Sequence, residues 1–343
     1  MNRGVAVSPL ISVVMPAYNA EKSVSRALRS LLAQNYENLE IVLVDDASSD
    51  DTAVMARRAL ESSARGWRII THEKNMGTSC SRNTGLRAAL GEYTLFMDSD
   101  DMADSDFIST LHDAISASGC DIAFCGYRSR DTETGEEIFY PPRLNPRKKY
   151  SSEDLAVMRI LNKVKPSICT MLFRRDFLLS KGIEFTEGCF AGEDVEFAVT
   201  ALSLCEEVVF SAKCPYVYLI HEGMGSIANA ATKEQRLNRY IDNTKAHFRL
   251  ADCLLKNSRS GKIRDIARYM LLPLSHARML KICARRGDRE QFDLMRKDPE
   301  VRSILLSSFR SFFWKPEVFL KSLCLLVMPE IYFKLKSDAK KPD

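Results

Sequence analysis

The sequence predicts an α/β protein, a mostly parallel sheet with helices on both faces. Two observations carry this. Over the first 126 residues, short apolar runs alternate with segments of helical periodicity. Two acidic clusters, Asp45-Asp46 and Asp98 to Asp101, each directly follow an apolar run. In such a sheet these positions are the carboxyl ends of strands, where ligands bind.

Each element has its own signal. Leu10-Ile-Ser-Val-Val-Met15, ended by Pro16, reads as a buried strand. From Ser23 onward, Val24, Ala27, Leu28, Leu31 and Leu32 share one helical face. Leu39 to Val44 is a second strand, Asp51 to Leu60 a second helix and Trp67 to Thr71 a third strand. Ser79 to Leu90 reads as a helix, Tyr93 to Met97 as the fourth strand, and Asp106 to Ser118 as a helix leading to Ile122-Ala-Phe-Cys125. Thr132 to Tyr150 turns polar and proline-rich, a surface excursion with room for a hairpin. Helix and strand signals resume from Ser151 to Tyr218; beyond about Thr232 the chain is helical and basic. This predicts a catalytic-type domain over 1–231 and a helical, basic extension over 232–343. Within the extension, Phe309 to Lys336 combines aromatics, the aliphatic run Leu323 to Met328 and flanking Lys and Arg. Two readings fit: an interfacial amphipathic segment, or a terminal helix folded back on the rest of the protein.

The bulk numbers exclude several classes. At 343 residues with 45% hydrophobic and 27% charged side chains, the chain is ordinary for a globular protein, and a net charge of +4 does not argue for nucleic acid. Ten cysteines at irregular spacings contain no Cys-x-x-Cys pair, so neither a zinc ribbon nor a thioredoxin-type site is indicated. They read as small reduced core residues. Met1 to Pro9 lacks the apolar core of a signal peptide, and no stretch approaches the ~20 apolar residues of a membrane span. A cytoplasmic protein is expected. No Gly-x-Gly-x-x-Gly follows a strand, which removes the dehydrogenase reading. The segment after the first strand also lacks the glycine-rich loop of a nucleotidyltransferase.

Asp98-Ser-Asp-Asp101 carries the sharpest chemistry. Two carboxylates one residue apart on extended chain can face one hard cation such as Mg²⁺ or Mn²⁺. An ion held by so few protein oxygens completes its shell with water and substrate phosphates. The cluster therefore points to a phosphorylated or nucleotide-linked substrate. It is the last of four motifs at strand ends, after Pro16-Ala-Tyr-Asn19, Val44-Asp-Asp-Ala-Ser-Ser-Asp50 and the segment Asn75 to Gly85. Gly192-Glu-Asp194 follows later in the chain.

This ordered set resembles the family 2 glycosyltransferases over roughly Leu10 to Ser226. The resemblance implies the GT-A nucleotide-sugar-binding fold, a Rossmann-like, mostly parallel mixed sheet flanked by helices, here with a helical C-terminal extension. It implies a metal-dependent, inverting transfer of a sugar from a nucleotide sugar, a UDP-sugar for preference, to a hydroxyl of a saccharide or lipid-linked acceptor in cell-surface polysaccharide synthesis. It implies Mn²⁺ or Mg²⁺ as cofactor. A basic, aromatic C-terminal segment is consistent with docking on the cytoplasmic face of the membrane. The alternative is a non-catalytic nucleotide-sugar-binding or interaction protein that retains the fold.

The roles implied fall on particular residues. The loop Pro16, Tyr18 and Asn19 supplies a wall for the base. Asp46, supported by Asp45, accepts the imide N–H of uracil, while Asp50 and Thr52 cap the following helix. Lys74 and Arg82 flank the turn at Gly77; Arg82 can fork onto phosphate or base edge, or pair with a loop aspartate. Asp98 takes the ribose hydroxyls, with Ser99 beside it, and Asp100 takes the metal. Asp101 supports the cluster or starts the next helix. Asp194 is the candidate base for the acceptor hydroxyl, with Glu193 orienting it or holding acceptor; both also suit a helix cap. Met224 stands where the family pattern carries an arginine, which leaves His221 as a candidate for metal or phosphate. His72, His112, His247 and His276 show no ligand-like spacing and read as structural or surface residues.

Overall fold

The computed structural model describes residues 8–145, 150–189, 191–220 and 232–338. Contacts divide the chain into two compact units. The first runs to Leu155 and takes in Asn162–Cys189 and the segment from Cys205. The second gathers Ala156–Leu161, Phe190–Leu204 and the chain from Ala231 onward.

The first unit holds a seven-stranded sheet in the order β10-β6-β9-β4-β1-β2-β3. Its strands are β1 (Ile11–Ala17), β2 (Leu39–Asp45), β3 (Gly66–Thr71), β4 (Tyr93–Phe96), β6 (Ile122–Phe124), β9 (Met171–Arg174) and β10 (Val208–Phe210). All pairings are parallel except those of β9 with β4 and β6. β1 and β2 are buried at every position, the burial expected of a central parallel strand covered on both faces. Each Val, Leu, Ile or Met side chain among them contributes about 1.5–3 kcal/mol. Helices α1 (Val24–Leu32), α2 (Thr52–Leu60), α3 (Thr78–Ala88) and α4 (Phe107–Ser116) make the crossovers, and α5 (Ser152–Ile160) and α6 (Arg175–Ser180) follow in the chain. The predicted series is thus present with ends shifted by at most two residues.

A second sheet has the order β5-β11-β7-β8, from β5 (Met102–Ala103), β7 (Tyr127–Asp131), β8 (Glu137–Tyr140) and β11 (Tyr216–Ile220). The hairpin β7–β8 begins before Thr132, where the sequence suggested none. Tyr-Arg-Ser-Arg-Asp lacks apolar alternation. Ion pairs hold it instead: Arg128 to Asp104 at 2.7 Å and to Glu137 at 3.0 Å. All ten cysteines are free thiols, six of them buried.

In the second unit, α7 (Glu193–Leu204) packs on α8 (Lys233–Asn257). Arg249 meets Glu196 at 2.8 Å. Gly192, entering α7, has φ +89°, and a Cβ there would stand 2.9 Å from Ala246 Cβ, so both conformation and packing select glycine. This is why the contacts run differently from the composition, which changes near 231: α7 precedes that point but finds its partners after it. The remaining helices are α9 (Gly261–Ile266), α10 (Leu272–Arg286), α11 (Arg289–Lys297), α12 (Pro299–Ser307), α13 (Pro316–Val327) and α14 (Pro329–Asp338). Three of them open on proline, whose missing N–H is no loss in a first turn. Their core includes Leu280, Phe292, Leu305, Leu325 and Tyr332. No helix among the described residues is long and apolar enough to cross a membrane.

Two histidines sit inside this unit. His247 accepts a hydrogen bond from Arg278, and its pKa is held down at about 3 by burial and then by Arg278. Burial also lowers that of His276. Both pKa values lie below that of an unfolded histidine, so their stabilisation is complete above about pH 6.5 and is lost as pH falls below it, for His247 down toward 3. Lowering the pH from 7.5 to 5 should cost about 1–2 kcal/mol from His247 alone. Urea denaturation of the wild-type chain and His247→Gln at both pH values checks this. An equal pH slope in the two proteins would remove His247 as the cause.

Candidate active site

The carboxyl ends of β1, β2 and β4 meet at one edge of the sheet, because their pairing is parallel and in register. Ala17 lies beside Asp45, and Val14 beside both Val42 and Phe96. A cleft of about 420 Å³ opens there, lined by Pro16, Tyr18, Asn19, Asp46, Ser81, Asp98, Ser99 and Asp100 among others. Tyr18 is 51% exposed and offers its ring to the opening.

The loops around the cleft are tied to each other. Asn19, at φ +48°, accepts from Ser49 N–H at 2.9 Å and donates its own N–H to Ser48 Oγ at 3.0 Å. Asp50 accepts from Glu21 N–H at 3.1 Å and Thr52 N–H at 3.0 Å, and Thr52 Oγ1 accepts from Ala20 N–H at 2.7 Å. The pair expected only to cap α2 therefore also staples the loop after β2 to the loop after β1.

Asp46 is 3% exposed and is the best-supported carboxylate. Its Oδ1 faces His72 Nδ1 at 2.7 Å and accepts from Met76 N–H at 2.9 Å; its Oδ2 accepts from Gly77 N–H at 2.7 Å. Burial acts to raise its pKa, but the His72 hydrogen bond and then the two backbone donors outweigh it and hold the carboxyl below its usual range. An ionised carboxylate has about four acceptor positions, so about one is left for a ligand. Gly77 makes this possible: at φ +88° and ψ 161°, a region open almost only to glycine, it turns its N–H back onto Asp46. His72, whose spacing signalled nothing, is thus a positioning residue. Its backbone N–H on Asp45 O at 2.9 Å extends the β2–β3 pairing and brings the ring to Asp46. Its one available signal was its place directly after a strand. Asp45 is buried and accepts from Ser48 N–H at 3.2 Å.

Arg82 is buried in α3, pairs with Asp98 Oδ1 at 2.8 Å and stacks on Phe185 at 5.2 Å. Of its alternatives, the ion pair with an aspartate is realised, and Arg82 does not line the cleft. Lys74 is exposed and also outside the lining. Asp98, Ser99 and Asp100 all reach the cleft, whereas Asp101 turns inward. Asp101 is 1% exposed and takes hydrogen bonds from Tyr216 Oη and from Leu219 N–H at 3.1 Å, which fastens the acidic loop to β11. Its carboxyl is pushed up to about 8, first by burial and then by Asp98.

No group of three or more His, Cys, Asp or Glu side chains able to hold a metal occurs among the described residues. The donors on the cleft are instead Asp98 and Asp100, an all-oxygen pair that fits Mg²⁺ or Mn²⁺ with water and phosphate completing the shell. His221 lies outside the described residues. Glu193 and Asp194 belong to the second unit, as the first two residues of α7, where the helix N-terminus favours negative charge. Asp194 Oδ1 accepts from Val195 N–H at 2.7 Å.

Residues 12–179 match the model of Glycosyl transferase family 2. This chain carries a family 2 glycosyltransferase domain. The glycosyltransferase GlyG of Streptococcus pneumoniae is 32% identical over 157 residues, 46% of this chain and 50% of that protein. The chain thus spans about half the length of this relative. Among solved structures, S. aureus TarS 1-349 in complex with UDP-GlcNAc superposes with a TM-score of 0.60 at 20% identity, over 96% of this chain and 89% of that one. The mannosyltransferase PcManGT of Pyrobaculum calidifontis, in complex with GDP-Man and Mn²⁺, gives 0.52 at 16% identity, over 98% and 89%. These likenesses establish the GT-A fold.

The inward-facing Asp101 gives a test of local architecture. Tyr216→Phe or Asp101→Ala strands a buried polar group and should cost about 1–3 kcal/mol in urea denaturation with EDTA present. Asp101→Asn, neutral and of the same shape, should stay within about 1 kcal/mol of wild type. Equal losses for Asn and Ala would show that the hydrogen bonds contribute nothing there.

Proposed function

We propose that the protein transfers a sugar from a nucleotide sugar to a hydroxyl of a saccharide or lipid-linked acceptor, with inversion, in cell-surface polysaccharide synthesis. The observation that carries this is the cleft itself, where an acceptor-only carboxylate, an exposed aromatic ring and two further carboxylates converge. Asp46 keeps about one lone pair for a base N–H, which suits the imide edge of uracil and hence a UDP-sugar. Tyr18 and Pro16 give the base a face. Asp98, paired with Arg82, is the proposed partner of the ribose hydroxyls, with Ser99 beside it in sequence. TarS with UDP-GlcNAc and PcManGT with GDP-Man and Mn²⁺ support a nucleotide-sugar donor and a divalent ion, for which Asp100 is the proposed ligand. When bound, such an ion neutralises charge on the departing diphosphate.

In the transfer the acceptor oxygen forms a bond to the anomeric carbon from the face opposite the diphosphate. The bond from that carbon to the phosphate oxygen breaks, its electron pair leaves with the nucleoside diphosphate, and the acceptor proton passes to a carboxylate. Motif order gives that role to Asp194, with Glu193 orienting it or holding acceptor.

Calorimetric titration of UDP, GDP, CDP and dTDP, each with Mn²⁺ and with EDTA, tests the donor half. UDP should bind only with metal, and Asp100→Ala should weaken it by at least about tenfold. Failure of all four to bind would leave the non-catalytic alternative standing. For the second half, Asp194→Asn should lower kcat by about 10²–10⁴ with the Kd for UDP unchanged. Turnover at the wild-type rate would move the base elsewhere.

A further inference from the structure

The second unit carries two features that the transfer chemistry leaves unused. The first is apolar. α13 buries Val318, Ser322 and Leu325 in the unit's core, yet its other side exposes Leu320, Leu323 and Val327. α14 does the same, with Tyr332 buried and Ile331 and Leu335 exposed. Just upstream, Phe313 is 91% exposed and Phe309 60%. A helix bounded by water on its outer side carries polar residues there. α13 thus shows apolar side chains outward with Glu317 and Lys321 among them, α14 sets Ile331 and Leu335 beside exposed Glu330 and Lys334, and the exposed apolar side chains fall together within 309–335.

The second feature is a crowd of cations on α10, α13 and α14 of the same unit. Lys281 and Arg285 of α10 both lie over the Tyr240 ring, at 5.4 and 5.9 Å, and Lys336 of α14 lies over Tyr332 at 5.8 Å. The charges are close enough to act on one another. The pKa of Lys281 is lowered by burial and then by Arg285, Lys336, Lys321 and Arg278. Lys315 is lowered by burial and by Arg278 and Lys321, against the opposing effect of Glu317. A fold that keeps mutually repelling cations beside an exposed apolar face is suited to a partner that is anionic at its surface and apolar beneath it. A bilayer containing acidic phospholipid has that profile: headgroup phosphates for the Lys and Arg side chains, and the acyl boundary for Leu and Phe. A second copy of the chain does not, because a two-fold contact would set this cation cluster against itself.

We propose that this face of α10, α13 and α14 docks on an anionic lipid bilayer. The inference rests on the glycosyltransferase reading only in that a lipid-linked acceptor gives the docking a purpose.

Flotation of the full chain with vesicles tests it, using phosphatidylcholine alone and phosphatidylcholine with phosphatidylglycerol. The wild-type chain should float with the anionic vesicles and not with phosphatidylcholine alone, and added salt should release it. Each cation removed should weaken partitioning about fivefold, so Arg285→Glu, Lys321→Glu and Lys336→Glu together should lower it by roughly a hundredfold or more. Leu320→Ser, Leu323→Ser and Val327→Ser together should also abolish flotation. All these residues except the half-buried Lys336 are exposed, and circular dichroism melting checks that each variant folds. Wild-type flotation by either variant, equal recovery with both vesicle types, or no flotation at all would overturn the proposal. A wild-type dimer in lipid-free buffer that the serine variant disperses would do so as well. UDP titration separates the two readings: unchanged UDP binding by the variants leaves the donor site intact whatever the vesicles show. Vesicle binding without UDP binding refutes the donor reading alone.

Discussion

Asp45, Asp46, Asp98 and Asp101 stand at one edge of a sheet whose central strands are buried throughout, and charge at such an edge must be met by hydrogen. The surrounding loops are arranged to meet it. Ser48 serves Asp45, the turn at Met76-Gly77 and His72 serve Asp46, Arg82 serves Asp98, and β11 serves Asp101. Each donor comes from a different part of the chain, so satisfying the four carboxylates fixes the relative positions of the loops after β2, β3 and β4. The cleft is what remains between loops held in this way. Its ligand-facing groups are the acceptor positions that the protein itself leaves unfilled.

Much of this was legible in the sequence because it is local. The strand Leu10 to Met15 announces itself by composition, the helix from Val24 by its period, and the acidic loops by following apolar runs. The parallel order then puts Asp46, Asp98 and Asp100 on one edge without further information. What was not legible depends on register or on distant partners. His72 matters only because β3 pairs with β2 so that its ring falls on Asp46, and a lone histidine carries no such mark. Asp101 looks like the start of a helix until Tyr216, 115 positions away, is found to hold it. β7 is stabilised by ion pairs from Arg128 to residues on other elements, so its own residues do not alternate as a strand's should.

The extension shows the same limit in another form. Composition marks Phe309 to Lys336 as aromatic, aliphatic and basic, but it does not say which side chains a fold would bury. α13 and α14 answer by doing both at once, sinking Leu325 and Tyr332 and leaving Leu323 and Leu335 in the open. The cations around Tyr240 come together only through packing of α8, α10 and α14, which are more than 90 residues apart at their extremes.

α7 has a consequence of its own for how the protein can be taken apart. Its partners are Ala246 and Arg249 of α8, and a chain stopped at 231 would lose both. Such a fragment keeps every strand that shapes the cleft. Glu193 and Asp194 would be left on a helix without its support. Under the roles proposed above, donor recognition would rest on the first unit alone, whereas transfer would also need the helix support that the chain beyond 231 supplies.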